Sequence, residues 1–203
     1  MPLAKSLCPV PADTSWSLRP LVASDADAVQ RLWRRRFGGD AVTQRRWIEA
    51  ALNPDHTATA AVASPSNSNA VVAFGLLEVA GVAYTRRYLS LDPLGLEPAL
   101  APQNGLLHMY CVRREWSGQR IGTALYAHHL QDLSMRDVPR AFGLAWHRPH
   151  TTDSRPLFEK HSFRCLATVE AYYSRFERRP QCPDCGGTCS CTASLYARSV
   201  PPQ

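Results

Sequence analysis

The stretch that most restricts what this chain can fold into is 106 to 126, where an apolar run meets two glycines and then a helical pattern. Leu106 to Val112 is apolar enough for a buried strand. Gly118 and Gly122 follow, and Ile121, Ala124, Leu125 and His128 then recur at helical spacing. A strand that turns through glycines into a helix forms an anion cradle. The orphan N–H groups of the first helical turn and the positive end of the macrodipole point at one place. Glycine lets a phosphate approach the backbone with no Cβ in between, and Arg120 adds a fixed charge beside that spot. The pattern is neither G-x-G-x-x-G nor a P-loop, since no Gly-Lys-Ser/Thr follows.

Ser117-Gly118-Gln119-Arg120-Ile121-Gly122-Thr123-Ala124-Leu125, placed after strand residue Val112, resembles the acyl-CoA loop of the GNAT acyltransferase superfamily. The family pattern is Arg/Gln-Gly-x-Gly-x-Gly/Ala. Ser117 replaces its first residue and Arg120 its middle glycine. A second segment, Thr151 to Phe163, resembles the family's Asn-x-x-Ala-x-x-Leu-Tyr-Glu-Lys-x-Gly-Phe. Leu157, Glu159, Lys160 and Phe163 match, with Thr151 at the Asn, Phe158 at the Tyr and Ser162 at the Gly. Arg19-Pro20 followed by Asp25 is similar to the family's opening strand and helix.

The resemblance implies an α+β fold: a mixed, mostly antiparallel sheet of six or seven strands with splayed central parallel strands and flanking helices. It implies a CoA-dependent N-acyltransferase, of acetyl groups first, working by direct attack of a small-molecule amine in a ternary complex. Acetyl-CoA or another acyl-CoA is the implied co-substrate. Its implied contacts are Tyr110, Cys111, Val112, Ser117, Gly118, Gln119, Arg120, Ile121, Gly122, Thr123, Thr151 and Phe158. Pantetheine amides would pair with backbone groups at 110 to 112 in the gap between the splayed strands. Many family members carry a tyrosine where Phe158 stands, suited to protonate the leaving thiolate, and phenylalanine has no such proton. A carrier-protein or aminoacyl donor, or a non-catalytic acyl-CoA-binding module, therefore stays open beside the ordinary reaction.

At 203 residues, 15 to 200 is expected to be one domain, with 1 to 14, which carry three prolines and no periodicity, a loose arm. No apolar run reaches membrane-spanning length and no charged-then-apolar signal segment opens the chain, so no membrane partner and a cytoplasmic location are expected. The net charge of +6 is set by arginines such as Arg34-Arg35-Arg36 and Arg178-Arg179. It suits an anionic partner, but no recognition-helix signature or aromatic–basic repeat favours nucleic acid. A second copy of the chain is a candidate partner.

In order, Trp16 to Leu21 reads as a strand, and Ser24-Asp25-Ala26-Asp27 as the cap of a helix whose stripe is Val29, Leu32, Trp33 and Phe37. Gly38-Gly39 ends it. A helix over 42–52 and a hairpin of strands over 57–63 and 70–79 follow. Residues 83 to 103 show no period, and read either as part of the acceptor side or as a surface excursion. After the strand to Val112 and a helix to about 134, Ala141 to Trp146 reads as a central strand, joined by a right-handed crossover. Asp153 or Thr152 caps a short helix with Pro156 in its first turn, and strands over 164–176 and 193–200 close the chain as a hairpin.

Between those last strands lies Cys182-Pro-Asp-Cys185-Gly-Gly-Thr-Cys189-Ser-Cys191. Cys-Pro-x-Cys-Gly has the shape of a zinc knuckle, and four thiolates without histidine favour a closed, structural tetrahedral Zn²⁺ site. Two disulfides, or redox or iron–sulfur use, are the alternatives. Cys8, Cys111 and Cys165 stand alone and read as idle or buried thiols.

Acyl transfer to an amine needs a base, a polarised carbonyl and a proton for the thiolate. Leu106 to Val112 holds no carboxylate, so His108 is the candidate base, expected on the same strand face as Val112, four residues on. Tyr110 is a second catalytic candidate, with Glu78 and His147 in reserve. His128 and His129 are expected on the outer surface of their helix.

Overall fold

The computed structural model describes residues 15–54, 56–148, 153–176 and 182–202. Seven segments pair into one sheet: β1 (Trp16–Pro20), β2 (Ala58–Pro65), β3 (Ala73–Gly81), β4 (Gln103–Val112), β5 (Arg140–Trp146), β6 (Arg164–Val169) and β7 (Ala193–Ser199). Their order is β1-β2-β3-β4-β5-β7-β6. Every neighbouring pair is antiparallel except β4 and β5. That parallel pair holds only from Gly105↔Ala141 to Leu107↔Gly143, although β4 runs on to Val112 and β5 to Trp146. Beyond Leu107 and Gly143 the two strands part, as the resemblance implied.

Helices cover both faces. α1 (Ala26–Phe37) buries Val29, Leu32 and Trp33 at helical spacing. It ends where Gly38 takes φ +64°, a conformation that suits glycine, and donates its N–H to the Arg34 carbonyl. α2 (Ala41–Leu52) starts at Asp40, whose carboxylate accepts the Thr43 N–H at 2.8 Å. Leu32, Trp33 and Ile48 pack with Phe74, Leu76 and Cys111 on one face of the sheet. On the other, Tyr126, Leu130 and Leu133 of α4 (Ile121–Met135) pack with Leu77, Leu107 and Ala141. Leu133 occupies the space over Gly105, where any Cβ would lie 2.4 Å from its methyl. No helix among the described residues is long and apolar enough to cross a membrane.

Four local expectations change. Asp25 does not cap α1 forward: its carboxylate accepts the Val22 N–H at 3.0 Å and a fork from Arg19 at 2.5 and 2.8 Å, tying β1 to the helix. Residues 83 to 103 contain α3 (Val82–Leu89), two turns too short to show a period, with Thr85 and Leu89 buried four residues apart. The expected strand over 164–176 stops at Val169, and after Ala171 at φ +49° the chain forms α6 (Tyr172–Arg175). A strand would send Tyr172 and Tyr173 to opposite faces; both rings are instead buried in one apolar cluster with Trp146 and Leu195. The short helix α5 (Arg155–Lys160) begins after Ser154, while Asp153 accepts the Arg155 N–H at 2.9 Å. The arm expected over 1–14, Cys8, Thr151, Thr152, His150 and Arg178-Arg179 lie outside the described residues.

Candidate active site and cysteine cluster

Where β4 and β5 part, a cleft of about 700 Å³ opens, within the range of small-molecule pockets. Residues on both faces of the sheet line it. On the α4 face these include Trp116, Ser117, Gly118, Arg120, Ile121, Gly122 and Thr123, with Ser154, Pro156 and Leu157 of the α5 region. α4 has no side-chain cap and no acid in its first turn. The N–H groups of Ile121, Gly122 and Thr123 have no intrahelical acceptor, as at any helix start, and they lie at the cleft. Lys160 donates to Thr123 Oγ1 at 3.4 Å and brings a further cation.

The two glycines have different jobs. Gly118 takes φ +82° and has no atom within 4 Å of a notional Cβ, so its backbone is open. A Cβ on Gly122 would lie 3.3 Å from Leu157 Cδ1, so this glycine also allows α4 to approach α5. Arg120 holds φ +61°, left-handed, where a side chain costs about 1 kcal/mol. Arg120→Gly should therefore leave Tm equal or higher while weakening CoA severalfold by calorimetry; unchanged affinity would remove the charge from the site.

Cys111, Gln119 and Phe158 do not line the cleft. Cys111 Sγ lies 4.0 Å from the Leu32 carbonyl on the α1 face, and burial pushes its pKa up to about 11. Phe158 is 0% exposed, stacked on Tyr196 at 4.7 Å, with its ring tip against Gly143.

A β-bulge decides the β4 side chains. Leu107 pairs with Leu77 and Tyr110 with Gly75, so His108 and Met109 together oppose Leu76. The extra residue reverses the alternation. Tyr110 and Val112 pack beside α4, whereas His108 packs on the α2–α3 face. The expectation that His108 shares a face with Val112 is thereby corrected.

The His108 ring lies 4.6 Å from both Trp47 and Tyr88, and its side chain is 4% exposed. Nε2 is 2.8 Å from Glu78 Oε2 and Nδ1 is 2.8 Å from the Tyr88 hydroxyl. A carboxylate only accepts, so Nε2 carries the proton and Nδ1 accepts from Tyr88. Tyr88, on α3, faces the cleft and was missed in the sequence because its helix lies in a stretch without period. His147 is turned away, with Nε2 2.9 Å from Ser194 Oγ.

On the opposite face the Tyr110 hydroxyl is 2.5 Å from His129 Nδ1. His129, expected outside, is 1% exposed, because α4 turns this position toward Gly75 of β3. Burial, with the His128 charge beside it, pushes its pKa down to about 3, so the ring is neutral and accepts the Tyr110 proton. Burial raises the Tyr110 and Tyr126 phenols, whose rings are 4.3 Å apart, so both stay protonated. An unfolded histidine titrates near pH 6.5. His129 therefore contributes stability fully above that pH and loses it as pH falls from about 6.5 toward 3. Between pH 6.5 and 5 the loss is about 2 kcal/mol. Urea titrations of His129→Gln at the two pH values should show that increment gone.

The remaining wall, on the α1–α3 face, is Arg36 and Phe37 of α1, Tyr88, Trp146, Arg148 and Tyr173.

Next to this wall the four cysteine sulfurs of 182, 185, 189 and 191 all lie within 4.8 Å of one another. Cys182–Cys191 is 3.8 Å and Cys185–Cys191 3.5 Å. A tetrahedral zinc with Zn–S near 2.3 Å places its sulfurs about 3.8 Å apart, whereas a disulfide needs about 2.05 Å. All four are free thiols. Gly186, at φ +70°, returns its N–H to the Cys182 carbonyl at 2.9 Å and closes the knuckle.

No protein-family model matches the sequence, and no curated protein matches it. Solved structures do match by fold. A Desulfovibrio desulfuricans structure assigned to the GNAT family aligns at TM-score 0.61 and 13% identity, over 92% of this chain and 99% of that one. Arabidopsis thaliana NAA60 in complex with a bisubstrate analogue aligns at TM-score 0.66 and 12% identity, over 93% and 100%. A mosquito arylalkylamine N-acetyltransferase-like protein aligns at 0.64 and 11%, over 92% and 100%. The chain has the fold of the GNAT acetyltransferases.

Proposed function

We propose that the chain is a CoA-dependent N-acyltransferase acting on an amine. The observation that carries this is the cleft between β4 and β5, with a helix start and Arg120 on one face of the sheet and a buried Glu78–His108–Tyr88 chain on the other. The diphosphate end is Ser117 to Thr123, with its N–H groups and the α4 dipole. The β4 edge from Tyr110 to Val112, released from β5, offers backbone groups to the pantetheine amides.

The amine nitrogen attacks the thioester carbonyl, forming the C–N bond as C–S breaks. Its surplus proton passes to the Tyr88 oxygen while the Tyr88 proton moves to His108 Nδ1, and Glu78 stabilises the resulting imidazolium. This is the base-and-orienter arrangement common to acyl transfer. The thiolate takes its proton from Tyr110, since Phe158 has none, and the phenolate, which burial disfavours, regains a proton from solvent as the His108 imidazolium releases the amine's proton. Tyr110→Phe is expected to slow turnover about tenfold, with Tyr126→Phe as the comparison that would reassign the role if it were the slower.

The deciding experiment is thiol release from acetyl-CoA with a panel of amines, amino acids and peptide N-termini, alongside calorimetry with CoA. Turnover with at least one acceptor is expected. CoA binding without any turnover would leave an acyl-CoA-binding module, and no CoA binding would overturn the reading.

A further inference from the structure

The cysteine knuckle is built into the cleft wall. Asp184 lies between the first two cysteines, and its carboxylate accepts a fork from Arg148, with Nε to Oδ2 at 2.6 Å and Nη2 to Oδ1. Arg148 Nη1 donates to the Arg36 carbonyl at 2.6 Å, and the guanidinium lies 4.1 Å over the Trp146 ring. The Arg148 and Asp184 side chains are only 7% and 11% exposed. Pro183, the residue before Asp184 in the knuckle, packs on the end of α1, where a Cβ at Gly38 would meet its Cδ at 3.5 Å. Cys182, Cys189 and Cys191 share one buried cluster with Trp146, Tyr172 and Tyr173, and Phe37 and Tyr88 pack against it. Arg36, Phe37, Tyr88, Trp146, Arg148 and Tyr173 all line the cleft. Among the described residues, the knuckle contacts named above fall on α1, on β5 and the two residues after it, and on α6.

We propose that the four cysteines bind one zinc ion, and that the zinc-held knuckle braces the His108 side of the cleft through Asp184–Arg148 and Pro183–Gly38. The metal then governs the shape of the acceptor end and leaves the CoA end alone. That these are an acceptor end and a CoA end rests on the acyl-transfer reading; the metal and the brace do not.

The physical reason lies in the loop itself. Residues 182–191 contain no helix or strand, so a few turn hydrogen bonds and the contacts named above are what order them, and metal–thiolate bonds would add to that ordering energy. When the cross-link is lost, Asp184 leaves Arg148. A nearly buried guanidinium without its carboxylate is unfavourable and turns to water, taking the Trp146 and Arg36 contacts with it. Four protein ligands leave no open position, so the ion has no part in the chemistry.

The test uses the purified full chain. Metal analysis should find one zinc per chain, and exchange with cobalt should give the sulfur-to-cobalt charge-transfer bands of a tetrahedral thiolate site. Hydrogen exchange is then compared between zinc-loaded protein and protein stripped by a chelator under reducing conditions. Stripping should speed exchange at 36–38 and 144–148 together with 182–191. It should leave 117–126 and the CoA dissociation constant unchanged within twofold, and zinc should restore protection. Asp184→Asn, which keeps the four thiols, should retain zinc and still loosen 144–148.

No zinc and no cobalt uptake by reduced protein would overturn the metal site. Metal whose removal leaves 36–38 and 144–148 unaltered would overturn the brace, as would loosening that includes 117–126. A silent amine panel would remove the acyl-transfer reading and leave these readouts standing.

Discussion

Replacing His108 by alanine is expected to lower kcat about a hundredfold, the usual cost of removing a positioned base, with CoA affinity unchanged. The imidazole joins Glu78 to Tyr88, at 2.8 Å on each side. Alanine also leaves a gap between Trp47 and Tyr88, whose rings each lie 4.6 Å from the imidazole, so a fall in rate alone would mix packing with proton transfer. His108→Gln separates them: its amide donates to Glu78 and fills most of the space, but it takes no proton. If His108 is the base, Gln is as slow as Ala, and Tyr88→Phe falls in the same direction. If Gln restores the rate, the histidine only packs. Thiol release with an amine from the panel, followed against pH, measures both.

Gly143→Ala is expected to cost about 2 to 3 kcal/mol, the upper part of the usual range for overpacking a core, and so to lower Tm by about 5 to 10 °C. Gly143 is the last β5 residue paired with β4, at the point where the strands part. A Cβ there would stand 2.5 and 2.6 Å from two ring carbons of Phe158. Phe158 has nowhere to go, since Tyr126, Phe163 and Tyr196 surround its ring at 5.3, 5.1 and 4.7 Å. Gly118→Ala is the control. It meets no atom within 4 Å and bears only the strain of φ +82°, so its stability loss should be smaller and its loss of CoA affinity larger. Thermal melts and calorimetry on the two variants should rank them in opposite orders, and equal rankings would detach the glycine turn from CoA.

Much of this fold was legible because local chemistry dictates it. Val29, Leu32 and Trp33 mark a helix face, Gly38 its end, and the apolar runs at 106–112 and 141–146 the two central strands. The turn at 117–122 was legible for the same reason. Even the convergence of four cysteines follows from spacing, since a Cys-Pro-x-Cys-Gly turn brings its two thiols together within five residues.

What stayed hidden depends on contacts between distant segments. Alternation along β4 places His108 beside Val112, and only the pairing with β3, two residues opposite Leu76, reverses it. Tyr172 and Tyr173 read as strand until the shared cluster around Trp146 draws both rings to one side. Tyr88 becomes a partner of His108, and His129 of Tyr110, through register and helix packing that no short window contains. Near-neighbour spacing thus specified most of the elements and the glycine turn into α4, whereas side-chain direction at the cleft was set by strand register and burial, which are properties of the assembled sheet.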